Sequence, residues 1–85
     1  MNNVVMRTVP LTADFQALSA KPVEVASVDL TAPPTNQHPV IFAGDDGSEV
    51  AWFPGEMHIF WRVNLGAIRV RGVPGDVVTA VGGTW

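Results

Sequence analysis

Glu56 and His58 stand two residues apart in PGEMHIFW. On a strand, that spacing puts a carboxylate and an imidazole on one face, the arrangement of a general-base pair. No nucleophile accompanies them: Ser19, Ser27 and Ser48 sit in no recognisable elbow motif. An ordinary surface histidine is the preferred reading, and it extends to His38 in its proline-rich loop. Asp45-Asp46-Gly47-Ser48-Glu49 has the look of a calcium loop, but lacks the alternating carboxylates over about twelve residues and the flanking helices such a loop needs. Its chemistry is that of a charged hairpin tip. With two histidines and no cysteine, neither an ordinary His-based metal site nor a thiolate zinc site is expected. The residues predict no catalysis, no metal and no cofactor.

What remains is surface chemistry. Phe60, Arg62, Arg69 and Arg71 fall on what reads as the outward parity of two successive strands, where Lys and Glu would be usual. Aromatic plus Arg is the composition enriched in protein interfaces, against the alternative of a solvated face with one exposed Phe. A tight hairpin around Asn64 to Ala67 would set Arg62 opposite Arg69. Like charges facing across a ladder are unfavourable. Either the two strands therefore belong to different sheets, or an acidic group from elsewhere lies between the arginines. Trp52 and Trp61 fall on the inward parity of their strands and read as core rather than as a sugar platform. Trp85 follows Gly82-Gly83-Thr84 and packs either on its own domain or on a neighbour. The apolar arm holding Val4, Val5 and Met6 is either a first strand or an addition to a neighbour's sheet.

The elements that carry these residues are strands. Met57, Ile59, Trp61 and Val63 alternate with His58, Phe60, Arg62 and Asn64, and Ile68 and Val70 alternate with Arg69 and Arg71. Pro54-Gly55 and Pro74-Gly75 supply turns on either side. Residues 23–30 read as a strand whose apolar phase slips across Ala26-Ser27, the mark of a bulge. Thr31 to Pro39 is a loop by its prolines. Residues 39–55 outline a hairpin; a two-residue turn at Asp46-Gly47 would set Ala43 against Val50 and Ile41 against Trp52. Thr12 to Ala20 is the one helix-like stretch, with a short strand or turn as its alternative. The sum is about seven short strands: an all-β, small antiparallel β-sandwich with jelly-roll-like topology. Residues 1–10 form an arm or first strand and 11–85 a single domain.

Composition bounds the partners. The 85 residues carry a net charge of −3, which argues against nucleic acid. No apolar run approaches the length of a membrane span, and the N-terminus lacks signal-peptide features. Only 15% of residues are charged while 47% are hydrophobic, so either the domain is compact with a Ser/Thr/Asn/Gly surface or, the preferred reading, much of its surface is covered. A domain this small has a thin core, and without disulfides or metal the expected supplement is oligomerisation.

The order of features resembles a known family. Thr12, Ala13, Ala17 and Leu18 precede a strand; a loop rich in Pro and Asn leads to Pro39-Val40, Gly44 and Asp45-Asp46; a Pro54-Gly55-Glu56 turn follows. The closing stretch is Asn64, Leu65, Ile68, Val70, Gly72, Gly75, Asp76 and Val78, the last Val one place later than in the pattern. Together these resemble the small β-sandwich structural proteins of tailed bacteriophage virions, of the capsid decoration (cement) or fibre-adaptor type. The match departs at Gly82-Gly83-Thr84-Trp85, where an aromatic end-strand is expected. The resemblance implies a non-enzymatic protein on the capsid exterior, with the major capsid protein or other virion proteins as partners and a trimer as the oligomer. Expected contact residues are Val4, Val5, Met6, Phe60, Arg62, Arg69, Arg71 and Trp85. A fibre adaptor of the same fold and a small carbohydrate-binding module using Trp85 and the Asp45–Glu49 loop are the alternatives.

Overall fold

A computed structural model describes residues 4–84. Among the described residues eight strands run in chain order: β1 (Val4–Pro10), β2 (Gln16–Ala17), β3 (Glu24–Thr31), β4 (Val40–Ala43), β5 (Glu49–Trp52), β6 (Met57–Asn64), β7 (Arg69–Arg71) and β8 (Val77–Gly83). They form two four-stranded sheets, ordered β1-β8-β3-β6 and β2-β7-β4-β5. Strand one pairs with eight, two with seven, three with six and four with five, all antiparallel. That is one long hairpin wrapped into a sandwich, the double Greek key of a jelly roll. The Thr12–Ala20 stretch contains β2 and no helix.

Leu30, Leu65, Val28, Val40, Val70 and Val78 are fully buried between the sheets. Trp52 closes the β5–β6 side of the sandwich. It stacks on Phe42 with centroids 3.7 Å apart, lies parallel to Phe60 at 6.3 Å, and receives the His58 ring edge-on at 4.6 Å. Phe60 therefore points inward, packed against the core, not outward as its parity suggested. Trp61 is the converse: it is 67% exposed and not a core residue.

The cause is a slip in the β3–β6 ladder. Val25 pairs with Val63 and Ser27 with Trp61, whereas Ala26 and Arg62 between them drop out. The expected bulge in β3 is thus matched by one in β6, where Arg62 adopts φ 55°. Two matched slips leave the register unchanged but flip both strands' faces, so Val63 joins Val25 inside while Met57, Ile59 and Trp61 face out. A left-handed conformation strains a residue with a Cβ. Arg62→Gly is therefore expected to stabilise the fold by about 0.5–1 kcal/mol in urea denaturation. A destabilised variant would mean that the Arg62 side chain holds the kink.

The β4–β5 hairpin also departs from expectation by one residue. Ala43 pairs with Glu49, Phe42 with Val50 and Val40 with Trp52. The loop is longer than two residues: Gly47 N–H donates to the Gly44 carbonyl (3.3 Å), Gly44 N–H donates to the Ser48 carbonyl (2.7 Å), and Gly47 takes φ 87°. A turn followed by a left-handed glycine sets this register, and Phe42 rather than Ile41 enters the core. Both Pro-Gly turns form as expected, with Gly55 at φ 94° and Gly75 at φ 104°.

A short 3-10 turn (Leu65–Ala67) carries the chain from β6 in one sheet to β7 in the other. Asn64 holds it, its Oδ1 accepting from Val23 N–H (3.0 Å) and Gly66 N–H (2.9 Å). Arg62 and Arg69 thus never oppose each other, the separate-sheet resolution of the charge conflict.

The proline-rich loop is tied to the start of β8. Asn36 exchanges two bonds with the Val77 backbone (2.8 and 3.0 Å), imitating a ladder partner. Buried Asp76 accepts from the Gln37 and His38 N–H groups (3.1 and 3.0 Å), and its carboxylate also meets His38 Nδ1 at 3.1 Å. The Gln37 amide, then His38, hold the Asp76 carboxyl below the ordinary carboxylate range despite burial. A depressed carboxyl pKa gives stability that is present above the unfolded value and lost as pH falls through the folded one. Thermal melts are expected to fall steeply below about pH 4. Asp76→Asn should melt lower at pH 7 and flatten that acid limb, and an unchanged limb would remove Asp76 from this role.

Candidate interaction surface

The register places the outward side chains of the β1-β8-β3-β6 sheet in cross-strand rows. One row runs Met6–Val81–Asp29–Ile59, a second Val4–Gly83–Ser27–Trp61 and a third Thr8–Thr79–Thr31–Met57. Asp29 is the single charged group among them. Val4 is 70% exposed, Met6 73%, Met57 47%, Ile59 48%, Trp61 67% and Val81 51%. All six are about half exposed or more, in two apolar strips, one on β1 and β8 and one on β6, that flank Ser27, Asp29 and Thr31 of β3. Large apolar side chains gathered on one exposed face in this way mark an interaction surface.

The outer face of the other sheet is different in kind. Arg69 and Arg71 project from β7 beside Phe15, with guanidinium carbons 5.6 and 5.3 Å from its ring centre. Arg71 also forms an ion pair with Glu49 of β5. Glu49 thus neutralises Arg71, but it is not the acidic group envisaged between Arg62 and Arg69, which lie in different sheets.

The expected contact residues therefore do not form one surface. Phe60 is a core-packed residue and Arg62 marks the β6 kink, beside a shallow groove lined by Glu24, Val25 and Asn64. Arg69 and Arg71 lie on the opposite sheet. Val4 and Met6 do reach the apolar face, but Val5 points into the core at 7% exposure. The arm itself is β1, paired with β8 of its own domain. Trp85 lies outside the described residues.

Sequence reasoning missed Met57, Ile59, Trp61, Val81 and Asp29 as a surface. Alternation in β6 points the wrong way: Met57, Ile59, Trp61 and Val63 are its apolar parity and read as core, against His58, Phe60, Arg62 and Asn64. The signal that decides it is the pairing of Phe60 with Val28, which belongs to a strand 32 positions earlier. Phe15 gave no signal at all.

The polar candidates behave as structural groups. Glu56 accepts from His58 Nε2 (2.8 Å) and from Phe53 N–H (3.2 Å), and these two bonds hold its carboxyl below the usual range. That lowers its basicity, and its partners are those of a turn cap. In the hairpin tip, Asp46 accepts from the Ser48 hydroxyl and N–H, which lower its pKa likewise. Among the described residues, no group of three or more His, Asp or Glu side chains could hold a metal ion. Compared with protein-family models, curated proteins and solved structures, the chain matches none.

Proposed function

We propose that this protein is a non-enzymatic structural component of a tailed-phage virion, decorating the outside of the capsid and stabilising it by docking on shell protein. The reading rests on the open apolar face of the β1-β8-β3-β6 sheet, where six large apolar side chains stand about half exposed or more. The sparse charge of the chain and its resemblance to virion β-sandwich proteins support the same role. Docking energy that is modest for one copy multiplies over a symmetric shell, and a trimer would raise it again.

The test is a heat and low-salt challenge of capsids lacking this protein, with and without the purified chain added back. Protection that saturates at hundreds of copies per particle is the expected result. Saturation at tens of copies would assign the fibre-adaptor role, and no binding to any particle would overturn the virion reading. Glycan-array binding without capsid binding would replace it with the carbohydrate-binding alternative.

A further inference from the structure

Asp29 gives the apolar face a chemical preference. It sits in the row between Val81 and Ile59, with Ser27 and Thr31 two places away along its own strand. The carboxylate is half-buried, and one oxygen accepts from the Thr31 hydroxyl at 3.2 Å. No described cation forms an ion pair with it: the three pairs present are His38–Asp76, His58–Glu56 and Arg71–Glu49. Any body that covers Val81 and Ile59 strips water from Asp29 as well. A desolvated carboxylate without a counter-charge is strongly unfavourable, whereas one paired with a cation and hydrogen-bonded is tolerated.

We propose that the occupant of this face is a protein surface presenting apolar side chains around one lysine or arginine, which Asp29 accepts. This rests on the reading of the face as a docking surface and adds the chemistry of what docks. A second copy of the chain fits poorly. The rows hold no Lys or Arg, so the two-fold overlap that covers the most area brings two Asp29 carboxylates together. Asp29 then supplies specificity, because an equally greasy surface without the cation leaves it unpaired.

The experiment pans a random displayed-peptide library on the immobilised full chain and on its Asp29→Lys and Trp61→Glu variants, each first shown by circular dichroism to be folded. Wild type is expected to enrich apolar peptides with one Lys or Arg. Asp29→Lys should enrich apolar peptides with Asp or Glu in that place, and Trp61→Glu neither. For a selected peptide, Asp29→Asn should raise Kd by about thirty-fold or more. No enrichment by wild type, enrichment indifferent to basic residues, or the same peptides from Asp29→Lys would each overturn the proposal. So would sedimentation showing a wild-type dimer that Trp61→Glu dissolves, since a second copy would then occupy the face. Capsid protection separates this from the virion reading. Protection by wild type and equally by Asp29→Lys sinks the basic partner alone, whereas absence of protection by wild type sinks the virion role and leaves the peptide result standing.

Discussion

Gly82→Ala is expected to lower the melting temperature by about 12–24 °C, the largest stability loss of any single methyl addition to the sheets. Gly82 lies on the inward side of β8, between Val5 of β1 and Val28 of β3. A Cβ built there would stand 2.1 Å from the Ser27 carbonyl oxygen and 2.8 Å from the Val28 Cα. Both are backbone atoms, and both belong to the strand already displaced by the Ala26 slip. Backbone at the centre of a four-stranded sheet cannot step aside as a side chain can. Overpacking usually costs about 1–3 kcal/mol, and this site belongs at the upper end. A domain of this size has only about 4–13 kcal/mol in total. Gly72→Ala is the control, because its added methyl would meet Leu11 Cδ1 at 2.6 Å, the end of a flexible side chain. Melts followed by circular dichroism should show a small loss for Gly72→Ala and a large one for Gly82→Ala. A Gly82→Ala protein melting within a few degrees of wild type would mean that β3 and β8 are not so closely apposed.

The same β3–β8 contact shows why some of the fold was legible in the sequence and some was not. The phase slip at Ala26-Ser27 could be read because Val25 and Val28 both need burial, a purely local requirement. The Pro-Gly turns could be read because glycine alone takes their positive φ without strain. The β4–β5 register could not, since Gly44, Asp46 and Gly47 suit two loop lengths equally, and one residue decides which face of the hairpin is inside. Asn36 and Asp76 were unreadable as anchors for a different reason. Their partners lie about forty positions away, and only the wrapping of the long hairpin brings them together. The interaction surface failed in the same way. Its residues come from β1, β3, β6 and β8, and no single strand supplies more than half of its exposed apolar side chains.

The two tryptophans of the hairpin region separate folding from docking. Trp52 is 5% exposed and stacked between Phe42 and Phe60, so Trp52→Ala should cost about 3–5 kcal/mol, the price of removing a buried aromatic. Trp61 lies nine residues on, opposite Ser27 on the open face, with two-thirds of its surface in water. Trp61→Glu removes little buried area and places a carboxylate where water already is. It is expected to change stability by no more than about 1 kcal/mol. Docking should respond in the opposite sense. An exposed Trp on an apolar face is the type of side chain that dominates interface energy, worth about 2 kcal/mol or more when truncated. Glutamate also sets a second carboxylate beside Asp29, in the adjoining row of the same sheet, and covering both would desolvate unpaired charge. Under the proposed virion role, these together predict at least about a hundred-fold loss of capsid affinity in co-sedimentation, with an unchanged melt. Wild-type affinity in Trp61→Glu would show that docking uses the Phe15–Arg69–Arg71 side instead, where Arg69→Glu would then carry the loss. The outcome turns on register alone: had β6 kept its phase through Arg62, Trp61 and Val63 would share one side, and this face would not exist.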